Sequence, residues 1–513
     1  MSESSKKGSA TVPPAAEKRA ADRDAFLLPA SNPWAKAWQI AAGVGALGIA
    51  GSFAGFGERR FAFSYLFGFQ FALSITLGML FFVLVQHLTS AGWSVTVRRT
   101  AEIFTTGFFA LVVLFAPVYL KRGELFPWLG GHHGAEHGAA PHAAGDSKVS
   151  TTETTQGHAP AAAPSAAAEP PTQHGGAHGS GQGGGHGGGG SHAGGDHDAH
   201  PTGPAAAAHG AAGAHGAAPA HAAHGKKGDP HELIEEETLA KKKPYLNEGF
   251  FSIRVVFYFA AWILIAWRLF SLSTAQDKSR DPKLTVAMQR FAPAATFVFA
   301  LTLTFAGFDW IMSLKPDWFS TIFGVYLFAG SVVSSLAVII LVTMGLRSTG
   351  ILVKEVNAEH YHDLGKLMFG FNVFWAYIGF SQFMLIWYAA LPEETPFFHM
   401  RWDEGPWSTV SLSLVLLHFV VPFLFLISRN VKRRLPMLQA GAALLLVMHA
   451  VDCYWLVMPN FGQEGFGFHW LDAACLVGVS GVVLAVVLYR MRTTSLIPVG
   501  DPRLPRALHF ENA

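Results

Sequence analysis

Ten long apolar segments set the strongest limit on how this chain can fold. A helix of about 20 apolar residues crosses the hydrocarbon core of a bilayer. Of the 513 residues, 50% are hydrophobic and only 14% are charged, whereas soluble domains carry roughly 25% charge. The pattern predicts an all-α integral membrane protein with ten transmembrane helices near 35–55, 61–87, 100–120, 250–272, 290–313, 319–346, 366–391, 407–428, 436–458 and 470–490.

Prolines predict local features of three spans. Pro293 and Pro436 fall in the first turn of their predicted helices, where a missing N–H costs little. Pro422 lies deeper in its span and predicts a kink there.

A segment of different composition separates the third and fourth spans. From Gly130 to Gly225 it is mostly Gly, Ala, His and Pro, so it cannot bury an apolar core and is predicted to be disordered. Its histidines could bind Zn²⁺, Cu²⁺ or Ni²⁺, but no spacing repeats a defined site, and a solvated tether is the favoured interpretation. The chain divides into a tail (1–33), spans one to three (34–121), a His-rich insertion (122–248), spans four to ten (249–491) and a second tail (492–513).

Lysine and arginine in short loops predict the orientation, because cytoplasmic loops are enriched in both. An even number of spans puts both termini on one side, and every loop and tail on that side is basic. The opposite short loops carry only Arg59, Arg60, Lys315 and Arg401, although Lys121 and Arg122 also fall there. We therefore expect both termini in the cytoplasm and the insertion in the periplasm of a bacterial inner membrane. The N-terminal stretch is polar for too long to match a standard signal peptide.

Ionisable side chains inside the spans are candidates for proton transfer, because charge is costly in hydrocarbon and imidazole titrates near neutral pH. The alternative is structural hydrogen bonding, which is the simpler interpretation for the three residues nearest water, Asp309, His469 and Asp472. The candidates form an outer set and an inner set. The outer set is Asp309, Gln382, His418, His449, Asp452, His469 and Asp472, and the inner set is Gln86, His87, Glu102 and Arg290.

The seventh span carries polar residues with helical spacing. Asn372, Trp375, Gly379 and Gln382 follow steps of three and four residues, so they share one face. Polar groups in a bilayer must face protein or water, so this face is predicted to point into the bundle. It could supply interhelical hydrogen bonds or line a quinone pocket, for which the candidates are Asn372, Trp375, Tyr377 and Gln382.

The sequence predicts no cofactor ligated by this chain and no metal site. Its two cysteines, Cys453 and Cys475, lie in apolar segments and form no CxxC or CxxCH motif. A haem b held between His418 and His449 is the alternative.

Three segments resemble the F subunit of alternative complex III, a bacterial quinol:cytochrome c oxidoreductase, and the related NrfD-like or polysulfide-reductase-type membrane proteins. They are FDWIMSLKPDWFSTIFGVYLFAG (308–330), FNVFWAYIGFSQFMLIWYAALPEET (371–395) and PNFGQEGFGFHWLD (459–472). The insertion is not part of the common pattern. The resemblance implies ten helices arranged as two four-helix bundles plus two extra helices.

The resemblance also implies a scaffold in a respiratory complex, with a quinone-binding or proton-conducting role and no redox centre of its own. The implied partners are a paralogous membrane subunit, an iron–sulfur subunit, cytochrome c subunits and a quinol such as menaquinol or ubiquinol. No nucleic acid is implied. A secondary transporter is the alternative from another class, although no internal repeat with paired broken helices is evident.

Deleting residues 130–225 tests the prediction about the insertion. A disordered tether adds no core, so the shortened protein should reach the membrane at the level of the full chain. Membrane fractionation with immunoblotting measures that level. A large drop in the membrane fraction would show that the insertion contributes to folding or targeting.

Overall fold

A computed structural model describes residues 26–129, 237–403, 405–462, 466–467 and 469–511. All the regular elements among these residues are helical, and ten of the helices are long and apolar enough to span a membrane, which confirms the predicted number. They are α1 (Trp34–Ala54), α2 (Arg59–Leu88), α3 (Val95–Leu120), α4 (Glu248–Ser279), α5 (Pro282–Leu314), α6 (Phe323–Ser348), α7 (Ala358–Ala389), α8 (Trp407–Leu426), α9 (Leu435–Phe461) and α10 (Trp470–Thr493).

Shorter helices follow or join the spans. Arg122–Leu125 follows α3, Pro396–Trp402 precedes α8, Arg429–Arg433 joins α8 to α9, and Leu504–Leu508 lies in the C-terminal tail. Residues 237–242 form a further short helix in the stretch before α4. The predicted disordered segment, 130–225, lies outside the described residues.

Capping residues explain where several spans begin. The side chain of Asn357 accepts hydrogen bonds from the N–H groups of Glu359 and His360, so α7 starts eight residues before the predicted apolar limit. The side chain of Asp281 caps α5 in the same way. As a result Pro293 lies inside α5 rather than in its first turn, and that prediction is wrong. Pro436 does lie in the first turn of α9.

The most buried spans are α2 and α6, which pack against each other and form the interior of the molecule. Helix α6 also packs against α7 and α9, and α2 against α5 and α10. Helix α1 lies along α10 at very short distance: a Cβ added at Gly48 would lie 2.6 Å from Cα of Gly478. Only glycine allows two helices to approach this closely.

A buried cluster of charged groups joins α3, α4 and the C-terminal tail. Arg98 bonds to Glu102 and to Asp501, each at 2.8 Å, and Arg99 bonds to Glu102 at 2.9 Å and to Asp277 at 2.8 Å. Both arginines are fully buried, so the carboxylates must supply the interactions that water would otherwise give.

The tail is fixed by the same cluster. Arg503 also bonds to Asp501, at 2.9 Å. Burial alone would raise the pKa of Asp501, but the hydrogen bonds from Arg503 and the charge of Arg98 hold it below the usual range of a carboxyl group. The carboxylate is therefore charged at neutral pH and ties residues that follow α10 to the first turn of α3.

Replacing Asp501 with Asn should destabilise the folded protein strongly. The change leaves Arg98 buried with one fewer anionic partner, a loss that costs about 3–5 kcal/mol in comparable buried pairs. Unfolding in a mixed detergent series, followed by tryptophan fluorescence, measures the change. The matched control is Glu511→Gln, which alters an exposed acid in the same tail and should change stability by less than about 0.5 kcal/mol. Equal losses in the two variants would contradict the role given to Asp501.

Candidate functional site

Two hydrogen-bonded pairs lie side by side in the interior between α2, α6 and α9. The Tyr326 hydroxyl donates to Oδ1 of Asp452 at 2.5 Å. One turn away on α9, Nε2 of His449 lies 2.7 Å from the Ser74 hydroxyl. All four side chains are at least 94% buried. Asp452 has no cationic partner in the described part of the chain, so this carboxyl depends on a tyrosine rather than on an ion pair.

His418 lies on the facing helix, α8, stacked against α7. Its ring centroid is 3.9 Å from that of Trp375, with the planes tilted by 31°. The imidazole is fully buried, and neither ring nitrogen has a hydrogen-bond partner among the described residues. A buried imidazole in this condition has both nitrogens free to donate to or accept from a ligand.

A π-helical turn from Leu414 to Val420 places His418. Pro422 explains it, because proline has no N–H to bond the carbonyl four residues before it, and its ring clashes with that carbonyl. The carbonyl in question belongs to His418 itself. The backbone responds with a wider turn, in which the N–H of Val421 bonds the carbonyl of Leu416. The predicted local distortion at Pro422 therefore takes the form of a π turn, a feature that is frequent at functional sites.

Two glycines give these side chains room. A Cβ added at Gly330 would lie 3.2 Å from Cε1 of His449, and one at Gly379 would lie 3.2 Å from the ring of Tyr326. Both distances are shorter than ordinary carbon contacts. The absence of a side chain at Gly379 thus leaves room for the tyrosine that bonds Asp452.

An apolar pocket of about 480 Å³ lies between α7, α8 and α9, next to these pairs. On its outer side are Tyr377 and Phe380, which are 63% and 62% exposed on the face that would meet lipid. On its inner side are the polar groups of Tyr326, Gln382 and Ser411. Its size falls within the roughly 300–1,000 Å³ of small-molecule sites, which are mostly apolar with a few placed polar groups.

A buried arginine lies behind the pocket. Arg401 donates to the carbonyls of Phe397 at 2.9 Å, Leu456 at 3.1 Å and Trp455 at 3.2 Å, and its guanidinium lies 3.6 Å from the centroid of the Phe397 ring. No carboxylate among the described residues pairs with it. Burial lowers its pKa to about 9, so the group still carries a positive charge at neutral pH.

The predicted face of α7 points into the bundle. Asn372, Trp375 and Gln382 are buried, and Gln382 accepts a hydrogen bond from Ser320 at 3.0 Å. Of the four quinone-site candidates, Trp375, Tyr377 and Gln382 line the pocket, whereas Asn372 lies one turn deeper. The amide of Asn372 is fully buried, with no hydrogen-bond partner in the described ranges.

The outer proton-path candidates separate into three places. His418, His449, Asp452 and Gln382 come together around the pocket. Asp309 lies between α4 and α5, held by two hydrogen bonds of 2.8 Å from Arg254 and one of 2.7 Å from Tyr258. At the start of α10, His469 caps the helix, and Asp472 bonds Arg60 at 2.7 Å and Ser64 at 2.5 Å. Asp309, His469 and Asp472 thus have the structural partners that the simpler interpretation requires.

The inner candidates lie in different surroundings: Gln86 accepts a hydrogen bond from Ser94 at 2.7 Å, Arg290 is exposed, and Glu102 belongs to the charge cluster. Glu102 is its central carboxylate, bonded to both arginines and to Ser273. His87 is fully buried, and neither ring nitrogen bonds a described group.

Sequence reasoning missed Tyr326, Ser74 and Arg401. Tyr326 and Ser74 are each one of several hydroxyl residues in α6 and α2, so the sequence does not distinguish them from the others. Arg401 lies in a short loop between two predicted spans, and nothing in the sequence there indicates the carbonyls that surround it.

The sequence matches no family model and no curated protein. The pocket and the buried pairs beside it are therefore the features that bear on function.

Replacing Tyr326 with Phe should destabilise the protein by about 1–3 kcal/mol, since it removes the hydrogen bond of a buried carboxyl group. Tyr377→Phe is the control, because this tyrosine is exposed and its hydroxyl bonds no described residue. Detergent-induced unfolding of both variants measures the difference. Identical stabilities would mean that the Tyr326–Asp452 bond contributes nothing.

Proposed function

We propose that this chain is an integral membrane subunit of a quinol:cytochrome c oxidoreductase of the alternative complex III type, and that it binds a quinol in the pocket between α7, α8 and α9. The observation that carries the proposal is the position of the pocket. It has a lipid-facing apolar opening and is lined by Tyr326, whose hydroxyl bonds the buried carboxyl group of Asp452, a residue without a cationic partner in the described part of the chain.

The two ends of the pocket suit the two ends of a quinol. An isoprenoid tail is apolar and fits the opening beside Tyr377 and Phe380. The ring needs aromatic contact and hydrogen-bond partners for two hydroxyl groups, which Trp375, Gln382 and Tyr326 supply. Pockets of this composition are the usual form of small-molecule sites between the helices of a bundle.

Oxidation of a quinol releases two protons and two electrons. The proton acceptors that we propose are Asp452, reached through the hydroxyl of Tyr326, and His449 beside it. The electrons would pass to the iron–sulfur and cytochrome c subunits, because this chain is proposed to hold no redox centre. If quinol is instead oxidised at a paralogous membrane subunit, the same residues would serve a proton path in a scaffold.

The packing of the helices supports the arrangement implied by the resemblance. Helix α2 packs against α3 and α5, and α4 packs against the same two helices, while α6 contacts α7 and α9, and α1 lies beside α10. This pattern fits two four-helix bundles with two extra helices. We propose a bacterial inner membrane location, with both termini in the cytoplasm and the insertion in the periplasm.

The haem b alternative fits the residues less well. Nε2 of His449 is engaged with Ser74 at 2.7 Å, and the ring of Trp375 covers one face of His418. The contact with Ser74 would have to break before Nε2 of His449 could ligate an iron, whereas the stacking on Trp375 leaves the ring nitrogens of His418 free. A visible spectrum of the purified chain checks this directly.

Blocking the pocket tests the proposal. Ala376 lines the pocket, so Ala376→Phe should fill it and reduce labelling of this chain by a photoreactive quinone at least tenfold. Ala389→Phe is the matched control, since it adds the same ring to an exposed position on the same helix and should label normally. The assay uses the complex isolated from its native membrane, with its subunits identified by mass spectrometry.

Turnover with a quinol analogue and cytochrome c separates the outcomes. Loss of both labelling and turnover in Ala376→Phe supports quinol oxidation here. If the wild-type complex turns over normally but this chain is not labelled, the quinol site lies in another subunit. Purification without iron–sulfur or cytochrome partners would contradict the proposed complex.

A further inference from the structure

Two adjoining depressions lie between α4 and α10. These helices do not line the pocket between α7, α8 and α9. One is polar, has a volume of about 440 Å³ and is lined by Ser271, Thr274, Ala275, Asp277, Lys278, Arg490, Thr493, Thr494 and Ser495. The other is apolar, has a volume of about 250 Å³ and is lined mainly by Phe109, Ala266, Trp267, Phe270, Val486 and Tyr489. Arg490 lines both depressions, so they form one amphipathic groove.

The polar part carries excess positive charge. Lys278 and Arg490 are exposed, and among the described residues no carboxylate pairs with either. The single acid there, Asp277, is already bonded to Arg99 at 2.8 Å. The C-terminal ends of α4 and α10 contribute about half a negative charge each, which is less than the two full positive charges. The groove therefore favours an anion.

The apolar part is open on the membrane side. Trp267, Tyr489 and Phe109 are 58%, 51% and 50% exposed along its rim. Its floor is the turn of α3 that contains Thr105 and Thr106, whose hydroxyls donate to backbone carbonyls at 2.7 and 2.6 Å. The floor thus needs no polar occupant, and an alkyl chain can cover it without leaving a donor unpaired.

We propose that this groove binds an anionic glycerophospholipid, with its phosphate between Lys278 and Arg490 and an acyl chain in the apolar part. The combination of charge and shape favours this occupant. A free phosphate ion would use the charged end alone. A partner protein would have to match a charged pocket and an apolar cleft joined at one arginine, whereas a lipid has these two features in a single molecule. Basic pockets between transmembrane helices near the cytoplasmic side are a recurring form of lipid site.

Lipid binding to the purified full-length chain tests the proposal. The protein in neutral detergent is mixed with phosphatidylglycerol, with phosphatidylcholine of the same acyl chains, or with inorganic phosphate, and bound lipid is counted by native mass spectrometry. We expect phosphatidylglycerol to be retained in preference to phosphatidylcholine. Each basic residue near the phosphate contributes about fivefold in affinity, so Lys278→Gln with Arg490→Gln should weaken the preference roughly twenty-five-fold.

Matched variants control for general effects of charge and folding. Arg492→Gln removes an exposed arginine two residues along α10 that lies outside the groove, and should bind as the wild type does. Ala275→Trp blocks the polar part without changing the charge, and should lose the lipid. If the double variant fails to fold, this variant gives the answer.

Other results would contradict the binding of an anionic lipid in the groove. Equal affinity for the two lipids, or unchanged binding in both the double variant and Ala275→Trp, would overturn the proposal. If millimolar inorganic phosphate competes equally with phosphatidylglycerol and with its headgroup lacking the acyl chains, the groove is an anion site instead. Cross-links from Trp267 or Tyr489 to a second protein in native membranes would indicate that a subunit covers the groove.

Discussion

The structure depends on the cost of placing polar groups where water cannot reach them. In hydrocarbon, each such group must find its partner within the protein. Arg98 and Arg99 show one way in which the fold meets this demand. They lie fully buried among three carboxylates, one of which, Asp501, comes from more than 400 residues further along the chain. The C-terminal tail is therefore needed for this arrangement, because without the carboxylate of Asp501 the buried Arg98 would lose an anionic partner.

The interior between α6, α7, α8 and α9 meets the same demand differently. Asp452 relies on a tyrosine hydroxyl, His449 on a serine hydroxyl, and Arg401 on three backbone carbonyls. None of the three has an ion-pair partner of opposite charge among the residues described. The carboxylates of the charge cluster are thus paired with arginines, whereas the polar groups beside the pocket are held by neutral partners.

Hydropathy was sufficient to predict the ten spans, since every spanning segment must satisfy its own backbone hydrogen bonds and so becomes a helix. Periodicity was sufficient for the inward face of α7, with Asn372, Trp375 and Gln382 buried. It could not identify partners. The sequence does not show that Arg254 pairs with Asp309. It places Arg98 between two spans but does not show that Asp501, far along the chain, is its partner. Ser74 and Tyr326 are each one of several hydroxyl residues in their helices, so they become distinct only when α9 is placed against them.

The position of the pocket follows from where the helices pack closely and where they do not. Helices α1 and α10 meet through glycines, with backbones so near that no side chain fits between Gly48 and Gly478. No such seam closes α7 against α8 at the pocket, where Trp375 and His418 stack and bulky side chains hold the backbones apart. The π turn forced by Pro422 widens α8 at the same level. A cavity open to lipid at one side is the consequence. The glycine at 379 makes room for Tyr326, which lines the cavity, and the glycine at 330 makes room for His449. The local backbone chemistry of one proline and two glycines therefore determines both the space for a ligand and the groups that would meet it.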